Sequence, residues 1–144
     1  MMRSLLFILC LVVFGNMQLV AQHKAAGNKT HRVVIQLTSG DTLAWKGALK
    51  NITHMFDTWG DKVKIELVAH GSGVEFLVIG KSTQEQKISE LAAKGVKFYA
   101  CENSLKDRKL TPENVLRAAS TVPSGVVEVV TKEEEGWSYL KAGF

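Results

Sequence analysis

Short β-branched runs alternate with stretches of helical period along this chain, and few folds accept that alternation. Val33-Val34-Ile35-Gln36-Leu37, Val63 to Ala69 (VKIELVA) and Val96 to Ala100 (VKFYA) have strand length and are largely apolar, as strands buried on both faces are. Ser39-Gly40-Asp41 forms a turn, with Asp41 placed to cap a helix. Trp45, Leu49, Ile52, Phe56 and Trp59, with Ala48 and Met55 alongside, then make one helical stripe that Gly60-Asp61 ends. An aromatic stripe at this spacing reads as core. Ser82 and Glu85 form a capping box before Ile88, Leu91 and Ala92, and Gly95 stops that helix. Thr111-Pro112 opens a further helix over Val115, Leu116 and Ala119. Pro123-Ser124-Gly125 turns into a fourth strand, Val126 to Val130 (VVEVV). Thr131 with Glu134 caps a last helix that carries Trp137 and Leu140, with Glu133, Glu134 and Glu135 suiting its positive end. Val74 to Ile79 fits either a strand or a buried helical turn, and Asn103 to Lys109 reads as a basic loop or short turn.

Strands alternating with helices predict an α/β fold, a three-layer parallel sheet with helices on both faces. A flavodoxin/Rossmann-like order of 2-1-3-4 is expected for the first four strands. The length of 144 residues suits one domain, expected over residues 31–144. Apolar residues at 46% and charged residues at 22% exclude a disordered or collagen-like chain. The net charge of +4 is spread rather than clustered, which argues against a nucleic-acid partner.

The first residues stand apart. Met1-Met2-Arg3-Ser4 is a short basic start, Leu5 to Phe14 is an unbroken apolar run, and Ala21 is a small residue before Gln22. These are the parts of a secretory signal peptide, expected at residues 1–21 with a polar lead-in at 22–30. The run falls short of the ~20 residues that span a bilayer as a helix, so no stable membrane span is expected after cleavage. Export to the periplasm or the exterior is then the expected localisation. Cleavage removes Arg3 and no acid, and with Cys10 gone it leaves Cys101 as the remaining cysteine. A lone thiol in an exported chain is either a buried, inert hydrophobe or a working group.

Position bears on that choice. Ligands in open parallel sheets sit beyond the carboxyl ends of the strands, near the point where strand order reverses. Three segments fall on that edge: Thr38-Ser39-Gly40, His70-Gly71-Ser72-Gly73 and Cys101-Glu102-Asn103. Nearby positive charge and helix N-termini lower a thiol's pKa. Lys106, Arg108 and Lys109 lie close behind in the chain, and a short turn capped by Asn103 or Ser104 would aim its N–H groups at the sulfur. Candidate tuning or ligand-binding residues are therefore Ser39, Gly71, Ser72, Gly73, Asn103, Lys106 and Arg108. In the expected strand order His70 and Cys101 start two strand spacings apart, roughly 10 Å. His70 is then either a strand-end histidine bonded to backbone or a partner of Cys101. Gly71-Ser72-Gly73 lacks the third glycine of a dinucleotide fingerprint. His23, His31, His54 and His70 have no metal-ligand spacing, so neither a metal nor a cofactor is expected.

Four segments carry a resemblance: Leu67-Val68-Ala69-His70-Gly71-Ser72-Gly73, Gly95 to Leu105 (GVKFYACENSL), Val122 to Val130 (VPSGVVEVV) and Gly136-Trp137-Ser138-Tyr139-Leu140. In this order, from about Val33 to Gly143, they resemble the DsrE/DsrF-like family. The resemblance implies a small α/β domain that assembles as a homo-oligomer, trimer or hexamer. It also implies kinship with sulfur-relay proteins, whose active cysteine follows the equivalent strand and carries sulfur as a persulfide. By position that cysteine is Cys101, and a sulfur donor or acceptor protein is the implied partner. Three functions compete on this reading: an exported sulfur carrier or transferase using Cys101, a non-catalytic oligomeric binding module with a structural cysteine, and a thiol redox sensor.

Overall fold

A computed structural model describes residues 29–143. The signal peptide expected at residues 1–21, and the lead-in up to residue 28, lie outside the described residues. Strands β1 (His31–Leu37), β2 (Val63–Ala69) and β3 (Lys97–Cys101) form where the three apolar runs predict them. Strands β4 (Ser120–Val122) and β5 (Ser138–Ala142) complete one sheet of order β4-β3-β2-β1-β5, in which every pairing is parallel. The α/β class therefore holds, and the order 2-1-3-4 does not. From β1 the chain steps outward through β2 and β3 to β4, then returns to the far side of β1.

Right-handed crossovers dictate where the helices go. The outward steps use one face of the sheet, covered by helix α1 (Thr42–Trp59), helix α2 (Glu85–Ala93) and the short helix α3 (Glu102–Asp107). The return step runs in the opposite direction, so its helix α4 (Gly125–Glu134) lies on the other face. Asp41 caps α1 by accepting a hydrogen bond from Leu43 N–H at 2.8 Å. Trp45, Ala48, Leu49 and Ile52 of α1 are buried, as the helical stripe requires. Gly60, at φ +57°, ends the helix in the left-handed region that glycine tolerates.

Four expectations fail in the segments between and after these strands. Val126 to Val130 is helix, not a fourth strand, because Ser120–Val122 already occupies the place beside β3. A β-branched run yields to tertiary context when its pairing partner is taken. Thr131 and Glu134 consequently sit in the last turns of α4 rather than capping a new helix, and Trp137 to Leu140 lead into and form β5. Thr111-Pro112 opens only a 3-10 turn, Pro112–Asn114, closed by a capping box between Thr111 and Asn114. Val115 beyond it is extended and bridges Val78. Ser82 and Glu85 form no capping box, because Gln84 is the residue that precedes α2 and Ser82 accepts a hydrogen bond from its N–H. The two open segments are now placed: Gly71–Leu77 is a 3-10 helix and Glu102–Asp107 is α3.

Candidate functional site

The loop leaving β3 turns to one face of the sheet and the loop leaving β4 turns to the other. A crevice forms where such neighbours part, and Cys101 stands at this one. It is the last residue of β3 and the residue that caps α3. Its neighbour β4 ends at Val122, which pairs with Cys101 in register. Pro123 and Ser124 then lead directly into α4.

Two helix starts thus converge on the sulfur. The first turn of a helix carries N–H groups without intrahelical partners. Those of Asn103 and Ser104 approach the thiol from α3, and that of Gly125 approaches from α4. The Ser104 hydroxyl joins them. Ser104 is buried, and its oxygen accepts a hydrogen bond from Gly71 N–H at 2.8 Å, which leaves its proton free for the sulfur. Cys101 caps α3 without a closed side-chain bond. Burial pushes the thiol pKa up, and the four donors outweigh it, holding the pKa below its ordinary value.

Gly125 explains how α4 comes so close. A Cβ there would lie 3.0 Å from the Cβ of His70, 3.2 Å from that of Cys101 and 3.2 Å from Cγ1 of Val68. No side chain fits without displacing one of them. The same contact shows that His70 and Cys101 flank one point. Because β2 and β3 are adjacent, the two residues begin one strand spacing apart, not two. The backbone N–H of His70 donates to Leu37 O at 3.0 Å, while its ring meets the Gln36 side chain, with the two Nε2 atoms 2.7 Å apart. Partial burial lowers the pKa of His70.

The other sequence candidates divide into two groups. Gly71, at φ +55°, joins the site through its bond to Ser104. Asn103 contributes its N–H, and its side chain is exposed. Ser72, Gly73 and Ser39 instead fasten loops to the end of β1. Ser72 Oγ donates to Thr38 O at 2.8 Å, and Gly73 N–H donates to the same oxygen at 3.0 Å. A Cβ on Gly73 would come within 2.4 Å of Leu37 O. Ser39 Oγ accepts from Asp41 N–H, and its carbonyl accepts from the Trp45 indole. The cations expected to prime the thiol are turned elsewhere. Arg108 donates to Ser104 O at 3.2 Å and faces Glu75, and Lys106 is exposed in the last turn of α3. Neutral donors take their place.

Sequence reasoning missed Gly125, Gln36 and Tyr139 as members of this neighbourhood. Gln36 alone left a signal, as a single polar residue inside an apolar strand run. Among the described residues no three His, Cys, Asp or Glu side chains gather to hold a metal. No described helix is long and apolar enough to cross a membrane.

Comparison with solved structures agrees with this architecture. A protein of unknown function from Methanobacterium thermoautotrophicum is similar at 31% identity and a TM-score of 0.73, covering 77% of this chain and 98% of that one. A conserved protein of unknown function from Bacteroides thetaiotaomicron shares the fold at 14% identity and a TM-score of 0.57, covering 81% of this chain and 98% of that one. No curated protein matches the chain. The DsrE/DsrF-like family model matches residues 31–142, which takes in every strand and helix of the sheet and its two faces, and the chain belongs to that family.

Proposed function

We propose that this protein is a sulfur carrier or transferase in which Cys101 takes up sulfane sulfur as a persulfide. Family membership supports a sulfur-relay role in general terms. The observation that carries the reading to Cys101 is the set of donors from Asn103, Ser104 and Gly125 that favours its thiolate. In the loading step the Cys101 thiolate attacks the outer sulfur of a donor persulfide. A sulfur–sulfur bond forms at Cys101, the donor's own sulfur–sulfur bond breaks, and the donor leaves as a thiolate. An acceptor thiolate reverses the exchange. Cys101 is only 4% exposed, so loading requires local opening around the thiol, where the start of α4 packs against it.

The same burial favours a second reading, a non-catalytic module whose cysteine is structural. One experiment separates the two. The protein is mixed with a low-molecular-weight persulfide and weighed by mass spectrometry. The carrier gains one sulfur atom, and Cys101→Ser gains none. A wild-type protein that takes up no sulfur, and whose thiol resists alkylation until unfolding, is the structural module. A reducible dimer through Cys101 would indicate a redox sensor.

The carrier reading also takes the protein as an exported homo-oligomer. Val126, Val127 and Val130 of α4 are 54%, 62% and 48% exposed, and Tyr139 on the same side of the sheet is also exposed. An apolar row of this kind supports a subunit contact. Light scattering on the isolated protein tests it, with a monomer as the contrary result.

A further inference from the structure

Gln36 interrupts the apolar run of β1 on the face that α4 covers, and its amide lies between side chains from the two neighbouring strands. Tyr139 Oη of β5 donates to Gln36 Oε1. Gln36 Nε2 lies 2.7 Å from Nε2 of His70, at the end of β2. With the phenol donating to Oε1, the NH2 end of the amide faces the ring. An NH2 group donates and cannot accept, so the ring nitrogen it meets is the acceptor and the ring proton sits on Nδ1. The structure assigns Gln36 as the residue that sets the tautomer of His70, and Tyr139 as the group that holds Gln36 in the orientation to do so. Both are positioning residues for a neutral imidazole beside Cys101.

An imidazolium needs a second proton on Nε2, aimed at the amide NH2 group. Two donors then face each other, and burial already disfavours the charged ring. Ionisable side chains on the surrounding elements include Tyr139 and Lys141 of β5, Cys101 of β3, Glu102 of α3, Glu128 of α4 and Glu75 of the 3-10 segment. Glu102 accepts from Thr121 Oγ1, Glu75 faces Lys81 and Arg108, and Glu128 faces Lys132. Among the described residues, Gln36 is the ring's hydrogen-bond partner. The consequence for chemistry rests on the carrier reading. A thiolate at Cys101 draws on neutral donors and not on a thiolate–imidazolium pair of the kind that activates many catalytic cysteines.

Nitrogen-15 NMR of the histidine rings in the intact protein tests the assignment, with His70→Gln identifying the His70 signals. The expected wild-type spectrum is the neutral Nδ1–H form near neutral pH. Gln36→Glu places a carboxylate acceptor against Nε2, so the proton moves to Nε2 and the His70 titration midpoint rises by about one pH unit or more. Tyr139→Phe keeps the exposed ring, frees the amide to turn and yields a mixture of tautomers. An Nε2–H ring in the wild type, or a spectrum that neither variant moves, overturns the assignment. Should Gln36→Glu not fold, the wild-type and Tyr139→Phe spectra still decide it. The spectra need no sulfur donor. Failed sulfur loading with an Nδ1–H ring therefore sinks the carrier reading alone, and successful loading with an Nε2–H ring sinks this assignment alone.

Discussion

One face of the sheet buries Val33, Ile35 and Leu37 of β1, Ile65, Leu67 and Ala69 of β2, and Phe98 and Ala100 of β3. They lie beneath α1, α2 and the Gly71–Leu77 turn. On the other face Val34, Val68 and Val122 have Val129 of the single helix α4 as their buried partner, with Tyr99 and Trp137 at the margin. The first face is continuous and apolar. The second holds a buried carboxylate, Glu66, and ends in Gln36, His70 and Cys101, the candidate site. The contrast teaches a division of labour: stability is concentrated on the face the outward crossovers cover, and polar groups are tolerated on the face the return crossover leaves half open.

The sharpest test of this contrast is Phe76→Ala. Phe76 is fully buried, with ring centroids 5.7 Å from Trp45 and 6.2 Å from Phe98. Deleting such a ring costs about 4 kcal/mol, read as a lowered midpoint in urea unfolding. Val129→Ala, the corresponding truncation on the sparse face, is expected to cost about 2 kcal/mol, counting the lost methyl groups and the void they leave. Equal losses would erase the distinction between the faces.

Glu66 is the polar exception on the sparse face. It is 3% exposed, with Lys97 Nζ 3.3 Å from one carboxylate oxygen and Lys132 Nζ 3.4 Å from the other. The second oxygen has no hydrogen-bond partner among the described residues, so the Lys132 charge is what compensates it. Lys132→Met is expected to destabilise the fold by about 3 kcal/mol, because it leaves one oxygen of a buried carboxylate uncompensated. Adding Glu66→Leu should recover most of that loss, since apolar replacement of a whole buried pair is often neutral. A double variant as unstable as the single one would show that the carboxylate has a role beyond its ion pair.

Gly125→Ala probes the point where the sparse face meets the site. The added methyl must displace His70, Cys101 or Val68, at about 2 kcal/mol for overpacking. It also pushes the Gly125 N–H away from the sulfur. Alkylation of Cys101 should slow relative to wild type at a given pH, because less of the thiol is ionised. Unchanged stability and alkylation would mean that α4 is already mobile at its start.

The same contrast governs how far these features were legible in the sequence. The face under α1 was readable because burial imposes period: Trp45, Leu49 and Ile52, and the β1 and β2 runs, all fell where pattern placed them. The return crossover was not. Val126 to Val130 has strand composition, and nothing local reveals that Ser120–Val122 has taken the adjoining place in the sheet. That misplacement also hid Gly125, whose role depends on a helix starting there. Cys101 was legible as a position at a strand end, while its surroundings were not. Lys106 and Arg108 looked like the tuning charges because they are close in sequence, whereas Ser104 and Gly125 are the close donors in space.

The smallest expected effect concerns pH, and it distinguishes dipolar from ionic priming of the thiol. The pKa of Cys101 is lowered in the folded protein by hydrogen-bond donors that favour the thiolate. A depressed acid contributes stability that is fully present above its unfolded pKa and is lost as pH falls through the folded one. Stability of the wild type relative to Cys101→Ala should therefore grow as pH rises through the alkaline range of thiol titration. The alkylation rate should show the same rise, with its midpoint below that of an ordinary cysteine near 8.5. Ser104→Ala removes one donor and should move that midpoint upward. It also orphans Gly71 N–H, a loss to be measured separately by unfolding. Raising the salt concentration is the discriminating control. Fixed donors next to a buried sulfur are screened far less than the exposed lysine Lys106 or the partly exposed Arg108 would be. A midpoint that climbs with salt and ignores Ser104→Ala would return the priming of Cys101 to those cations.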